Sequence, residues 1–162
     1  REASVARWLE ADAEQVDWNV REWEFLLRVT QALNEAGVPL LVGSDAGTMF
    51  MTAGLSTHRE VQLIQLAGVS PVTILRAATL NAAQVLDIAD VQGSVVEGKW
   101  ADLVITRNNP LDDVSYLELP AAVVKRGQWL GRKDLDAIIQ YAGAPSGWFG
   151  GVAMLLEHWW KD

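Results

Sequence analysis

The sequence contains no cysteine and only two histidines, His58 and His158, among its 162 residues. Without cysteine, the chain cannot form disulfides, a thiolate nucleophile, or a Cys-ligated zinc or iron–sulfur site. Two histidines so far apart in sequence do not supply the three protein ligands that are usual at a catalytic zinc. We therefore do not expect one copy of this chain to build a complete histidine-rich metal site.

Positive charge and long apolar runs are also scarce. The chain has 13 Lys and Arg against 21 Asp and Glu, which gives a formal net charge of -8. Because binding to a phosphate backbone needs clustered basic residues, this balance argues against nucleic acid as a partner. The longest apolar runs fall well short of the roughly 20 residues that cross a bilayer, so no transmembrane segment is expected.

The length and the 50% share of apolar residues are those of a folded domain rather than a disordered tail. The first residues, Arg1 to Ser4, contain neither an initiator methionine nor the basic and apolar regions of a signal peptide. We therefore expect the sequence to begin inside a longer polypeptide. The cytoplasm is the expected compartment, and export is compatible with a signal peptide upstream of Arg1.

Hydrophobic periodicity predicts a helix followed by a buried strand. Apolar residues recur three or four apart from Val20 to Leu33, which predicts a helix with one buried face, and Gly37 marks its end. The continuous apolar run at 38–42 is typical of a strand covered on both faces in a parallel sheet. This run leads into a short Gly-rich loop at 43–47.

Two more helices are predicted before residue 90. Thr57 and Glu60 have the spacing of a capping box, so a helix should open at Thr57 and close at Gly68. Ser70 and Pro71 have the pattern of an N-cap followed by the first helical residue. The segment 71–86 is apolar almost all round and is expected to form a buried helix.

After residue 90 the pattern changes to short β segments, expected at 93–96 and 101–106 and in a hairpin of 121–125 with 128–130 across Arg126 and Gly127. A short helix is predicted at 134–142, and an apolar stripe containing Trp148 and Trp159 follows. The expected organisation is therefore a first part at 1–90, a β part at 91–132 and a helical tail at 133–162.

Asp45 stands where α/β folds place functional residues, at the carboxyl end of a strand and before a loop and a helix. This position alone leaves two interpretations open. Asp45 either forms an Asx turn before Gly47 or acts as a ligand or general base.

Five short motifs follow one another along the chain: GSDAG at 43–47, STHRE at 56–60, LRAATLNAA at 75–83, GSVVEGKWADLV at 93–104 and NPL at 109–111. In order and spacing they resemble the C-terminal third of metal-dependent amidohydrolases, most closely the imidazolonepropionase and Xaa-Pro dipeptidase branch. The resemblance extends over about residues 20–130.

The resemblance implies an α/β fold class. In that family a (β/α)8 barrel carries one or two divalent metals, and a small β-sandwich is assembled from segments before and after the barrel. Residues 1–90 would then be the end of the barrel, with its eighth strand at 38–44, and residues 91–132 would be part of the sandwich. The barrel would be incomplete in this chain, because such a domain needs about 250 residues.

The resemblance also implies hydrolysis of a C–N bond in a small amide, dipeptide or cyclic amide by a water that the metal activates. Asp45 would be both a ligand of the metal, with zinc the expected ion, and the general base. His58, just inside a helix start, is a candidate substrate contact. The alternative, which is commoner for a histidine at such a position, is a solvated or hydrogen-bonded surface residue. Asn81 and Asp102 are expected to have structural roles.

The family's His-x-His pair, bridging lysine and two later histidines are missing from this sequence. The chain alone is therefore expected to hold no metal stably and to need an upstream barrel segment or another copy of itself. Uncovered apolar surface and unpaired strand edges favour a homo-oligomer. Two alternatives stay open: an inactive truncated fragment stabilised by oligomerisation, and a non-catalytic module that binds a small molecule.

Overall fold

The computed structural model describes residues 13–46 and 53–142, with side chains at 20–46 and 53–141. Within these residues the chain forms helices and one small sheet, in the order α1 (Ala13–Glu35), α2 (Leu55–Leu66), α3 (Pro71–Ala78), α4 (Leu80–Val85), β1 (Leu103–Ile105), a 3₁₀ helix (Val114–Leu117), β2 (Ala122–Lys125), β3 (Gln128–Gly131) and α5 (Arg132–Ala142). The fold is of the α/β class. The predicted apolar stripe at 148–159 and His158 lie outside the described residues.

Helix α1 ends where the sequence predicts. The amide of Gly37, which has a φ of 75°, donates to the carbonyl of Asn34, and the amide of Val38 donates to the carbonyl of Leu33, each at 3.0 Å. This pair of hydrogen bonds is a Schellman motif. The predicted buried face of α1 is wrong in part, because Trp23 is 40% and Leu26 51% exposed. Among the described elements, α2 makes the main contact with this helix, and much of the apolar stripe stays uncovered.

The predicted strand at 38–42 is not observed as a strand, because no other described segment pairs with it. Its burial is also one-sided rather than complete. Leu40 and Val42 are half-buried against the core, whereas Val38 and Leu41 are 44% and 46% exposed. A parallel strand obtains its hydrogen bonds from neighbours far away in sequence, and those neighbours are not among the described residues.

Helix α2 begins two residues earlier than predicted. Gly54 occupies the N-cap position, and no side chain caps the helix, so the predicted capping box of Thr57 and Glu60 does not form. The helix ends as predicted at Gly68, whose amide donates to the carbonyl of Gln65 at 2.9 Å.

Helix α3 begins as predicted, with Ser70 as N-cap accepting from the Thr73 amide at 3.4 Å and with Pro71 in the first turn. The predicted single helix at 71–86 is instead two helices. Thr79, with φ −131° and ψ −84°, interrupts it, and its hydroxyl donates to the carbonyl of Leu75 at 2.6 Å. Burial is complete only on one side, where Ile74 and Ala77 are fully buried.

The sheet contains the predicted hairpin. Strands β1, β2 and β3 are antiparallel in that order, with Val104 opposite Val123 and Val123 opposite Leu130. Arg126 and Gly127 both have positive φ, at 48° and 84°, as a two-residue type I′ turn requires. The strand predicted at 93–96 is absent, since Gly93 and Ser94 form a bend and residues 95–96 have no regular structure.

One apolar cluster joins the helices to the start of the β part. It contains Val61, Ile64, Val69, Ile74 and Val114, and Leu40, Val42 and Leu117 pack against it. The amide of Val114 also donates to the Gln65 side chain at 3.2 Å, which fastens the 3₁₀ helix to α2. Among the described helices, none has the length and apolar character needed to span a bilayer.

Candidate functional site

The segment before Asp45 has two different sides. Every second residue contacts the helices: Leu40 and Val42 pack on the core, and Ser44 forms a hydrogen bond with α2. The residues between them, Leu41 and Gly43, are exposed, and so is Asp45. Because side chains alternate along an extended chain, Leu41 and Gly43 lie on the side opposite the helices, and the exposed Asp45 follows where the extended segment ends.

The backbone changes conformation at Asp45. Its φ is 48°, in the left-handed region that a non-glycine residue seldom occupies, although aspartate tolerates it better than most. Such conformations occur where a chain leaves a regular segment and turns, and they concentrate at functional sites. The alternative role of Asp45, an Asx turn into Gly47, involves a residue outside the described part of the chain.

A hydrogen bond brings the first turn of α2 to the end of this segment. The hydroxyl of Thr57 donates to the hydroxyl of Ser44 over an O–O distance of 3.3 Å. His58 follows Thr57 directly, is half-buried, and donates its backbone amide to the carbonyl of Gly54 at 3.0 Å. The residues next to Asp45 and His58 in sequence are therefore in contact, which places the two candidate residues in one region.

Sequence reasoning missed this hydroxyl pair. It assigned the Thr57 hydroxyl to a capping box, whereas the helix begins at Gly54 and leaves that hydroxyl free to reach Ser44. The only local signal was the presence of a hydroxyl residue in each motif. A contact between residues 13 positions apart cannot be read from such a signal.

Glu60 lies one turn after Thr57, and its partial burial was also missed. Desolvation raises the pKa of the Glu60 carboxyl above its ordinary value of 4.5. The neighbouring Arg59 is exposed and donates to the Gln62 side chain at 3.4 Å. A partly buried carboxyl therefore lies on α2 close to the turn that contacts Ser44.

The described residues do not fit a complete metal centre. Across 13–46 and 53–142 there is no group of three or more His, Cys, Asp or Glu side chains that could hold an ion. Asp45 offers one carboxylate at an exposed position, and a stable site needs further ligands. The chain therefore contributes at most part of such a site through its described residues.

A separate cavity of about 240 Å³ lies beside β1 and shares no lining residue with the region of Asp45. Lys99 lines it, and its ammonium donates to the carbonyls of Ala89 and Gln92 and, at 2.8 Å, to the Ser94 hydroxyl. A lysine ammonium has three N–H donors, so these three bonds leave none for a ligand. Lys99 therefore fastens the 89–94 loop to the start of the β part.

Asn81 and Asp102 make the structural contacts expected of them. The Asn81 side chain donates to the carbonyl of Leu40 at 3.0 Å, across 41 residues. Asp102 accepts from the Lys125 ammonium and from the Arg126 amide, both at 2.7 Å. These bonds, led by the one from Lys125, hold the pKa of the Asp102 carboxyl below its ordinary value of 3.8.

Comparison with known proteins identifies similar chains. Residues 24–130 match the model of the amidohydrolase family. The chain is 33% identical over 86 residues to the imidazolonepropionase of Thermoplasma volcanium, a match that covers 53% of this chain and 20% of that protein. The curated relatives that it matches are much longer, and the chain covers 20% to 32% of their lengths.

Two solved structures extend the comparison. A Xaa-Pro dipeptidase with bound methionine is 30% identical, with a TM-score of 0.59 over 65% of this chain and 25% of its own. A bottromycin amidohydrolase is also 30% identical, with a TM-score of 0.72 over 87% of this chain and 30% of its own. The predicted resemblance is thereby confirmed. The chain belongs to the amidohydrolase family.

Proposed function

We propose that this chain is the C-terminal part of a metal-dependent amidohydrolase that hydrolyses a C–N bond in a small amide, dipeptide or cyclic amide. Residues 1–90 would close its (β/α)8 barrel, residues 91–132 would contribute to its β-sandwich, and residues 133–162 would form a helical tail. The observation that carries the proposal is that Asp45 is exposed directly after residues 40–44, a segment whose alternate residues contact the helices. In a barrel, residues that follow the carboxyl end of a strand lie at the face where the reaction takes place.

Asp45 would act in two ways in the complete enzyme. Its carboxylate would supply one oxygen ligand, and it would accept a proton from the attacking water and pass it to the leaving amine. A divalent ion, with zinc the expected one, supplies Lewis acidity for the carbonyl and for water when it is bound. The remaining ligands would come from an upstream barrel segment or from another copy of the chain.

His58 would contact the substrate. Its support is the hydrogen bond between Thr57 and Ser44, which holds the first turn of α2 beside the end of the segment that bears Asp45. A half-buried imidazole at that place can donate to a carbonyl or carboxylate oxygen of a small amide.

The test compares two aspartates in the complete protein that contains this chain. Asp45 and Asp87 are both exposed and both have positive φ, at 48° and 57°. Asn tolerates this conformation as well as Asp does, so Asp45→Asn and Asp87→Asn change the same charge at the same backbone geometry. Turnover of Xaa-Pro dipeptides, N-acyl amino acids and cyclic amides is measured with zinc supplied.

We expect Asp45→Asn to lower kcat by about 100-fold or more, because general-base catalysis contributes roughly that much. Asp87→Asn should stay within about twofold of the parent, since its carboxylate has no proposed part in the reaction. Activity of Asp45→Asn within a few-fold of the parent would limit Asp45 to a turn residue. No turnover of any substrate in the panel by the parent would contradict the proposed reaction class.

The isolated chain should bind zinc weakly and show no amidase activity, because one carboxylate and one imidazole make a poor site. The measurement is the zinc content after dialysis against a mild chelator. Retention of one zinc per chain by a monomer would show that the ligand set is complete without a partner.

A further inference from the structure

We propose that the hydrogen bond from Thr57 to Ser44 sets the position of the Asp45 carboxylate, which makes Thr57 a positioning residue for the reaction. The inference rests on the proposed function of Asp45 and adds a residue that the function itself does not require. Its basis is the 3.3 Å contact between two hydroxyls that lie 13 residues apart in sequence.

The core holds the segment before Asp45 only as far as Val42. Leu40 and Val42 pack on the apolar cluster, and the Asn81 side chain holds the carbonyl of Leu40 at 3.0 Å. Gly43 then has no side chain, and a Cβ placed on it would meet nothing within 4 Å. Gly43 therefore adds no side-chain packing to this segment.

The next residue of this segment with a contact to the helices is Ser44, through its side-chain hydroxyl. Its partner, Thr57, belongs to the first turn of α2, whose next turns carry Val61 and Ile64 into the core. The hydrogen bond thus connects the residue immediately before Asp45 to a helix that is itself fixed by packing. Rotation of the backbone at Gly43, which would displace Asp45, has to break this bond.

The Thr57 hydroxyl does not cap the helix in which it lies. Gly54 begins α2, and no side chain caps the helix, so Thr57 does not serve the helix N-terminus. Thr57 is exposed and Ser44 only half-buried. A hydrogen bond in such a place contributes little to global stability, so its loss should affect the geometry of Asp45 more than the folding of the protein.

The expected effect is on turnover. Catalytic groups must be held close to their productive geometry, and a displacement of about 1 Å can lower the rate by about 100-fold. Loss of one tether, with the core and the Asn81 contact intact, should allow a smaller displacement. We expect kcat to fall by about tenfold and KM to stay within about twofold, because Thr57 acts on Asp45 and not on the substrate.

The first experiment measures kcat, KM and thermal stability of the complete protein with Thr57→Val and Thr57→Ser. Valine keeps the shape and removes the donor, and serine restores the donor without the methyl group. The inference predicts a loss of kcat in Thr57→Val at unchanged melting temperature, with recovery in Thr57→Ser to within about twofold. Parent-like kcat in Thr57→Val, or failure of Thr57→Ser to recover, would overturn it.

Ser44→Ala provides a second variant that removes the acceptor instead of the donor. If the two hydroxyls act as one contact, the double variant should be no slower than Thr57→Val alone. Additive losses would mean that the two residues act separately, and the inference would fail. If Thr57→Val does not fold, Ser44→Ala alone still removes the contact, and the inference then predicts the same loss of kcat for it.

Hydrogen exchange separates this inference from the proposed function. In the chain described here, Thr57→Val should raise the exchange rate of the amides at Asp45 and Ala46, and Thr57→Ser should not. Unchanged exchange would overturn the positioning role whatever the activity. If exchange responds and Asp45→Asn stays active, the tether is real and the proposed role of Asp45 fails instead.

Discussion

Gly93→Ala should destabilise the protein through two separate effects that the structure allows us to compare. Gly93 has a φ of 87°, and a Cβ at this residue would lie 2.5 Å from the Cβ of Ala83 and 3.2 Å from the carbonyl oxygen of Thr79. The loop that opens the GSVVEGKWADLV motif therefore passes directly against α4. Both contacts involve atoms that cannot rotate away, since one is backbone and the other is the first atom of a short side chain.

Gly98 in the same motif provides the control. Its φ is 91°, nearly the same as that of Gly93, but a Cβ there would meet nothing within 4 Å. Gly98→Ala should cost about 1 to 2 kcal/mol for the left-handed backbone alone. Gly93→Ala adds about 1 to 3 kcal/mol of overpacking, which gives a total of about 2 to 5 kcal/mol.

The assay is urea unfolding of the two variants and the parent, followed by tryptophan fluorescence, with the free energy of unfolding taken from the linear extrapolation. We expect Gly93→Ala to lose about 1 to 3 kcal/mol more than Gly98→Ala. Equal losses in the two variants would show that the loop does not press on α4. In that case glycine would be needed at position 93 only for its left-handed backbone conformation.

Two further predictions concern the β part and the surface. Asp102→Asn should lower the free energy of unfolding by about 1 kcal/mol at pH 7. The pKa of the Asp102 carboxyl in the folded protein lies below 3.8, so the carboxylate stabilises the fold fully above that pH, and this stabilisation is lost as the pH falls through the lowered pKa. The variant and the parent should therefore have the same stability in acid unfolding experiments. The chain should also self-associate, because Trp23, Leu26 and Leu41 remain exposed; light scattering should report a mass above 17.8 kDa at tens of micromolar, and a compact monomer would contradict this.

The sequence predicted most reliably those features that neighbouring residues determine. The end of α1 at Gly37, the start of α3 at Ser70 and Pro71, and the hairpin turn at Arg126 and Gly127 all follow from local backbone preferences. Each involves hydrogen bonds between residues no more than a few positions apart. Such signals are complete within a short stretch of sequence.

The predictions failed where two local patterns compete or where a distant partner decides. Thr57 and Glu60 match a capping box, but Gly54 also permits a helix start, and the earlier start leaves the Thr57 hydroxyl to Ser44. The apolar pattern of 71–86 shows no break, yet Thr79 turns its hydroxyl to the carbonyl of Leu75 and the helix divides there. In both cases the side-chain hydroxyl bonds to a partner that apolar periodicity does not predict.

The segment from Leu40 to Asp45 contacts the helices of this chain on one side and is exposed on the other. On the helix side, each alternate residue has its partner: Leu40 and Val42 in the core, and Ser44 at Thr57. On the other side, Leu41 is 46% exposed although its neighbours in sequence are apolar throughout 38–42. An apolar residue on a strand is stabilised by burial, so the composition of the open side fits a covered surface better than an exposed one. Asp45 follows this segment directly and is exposed as well, so we expect a partner that covers Leu41 to lie close to the Asp45 carboxylate too.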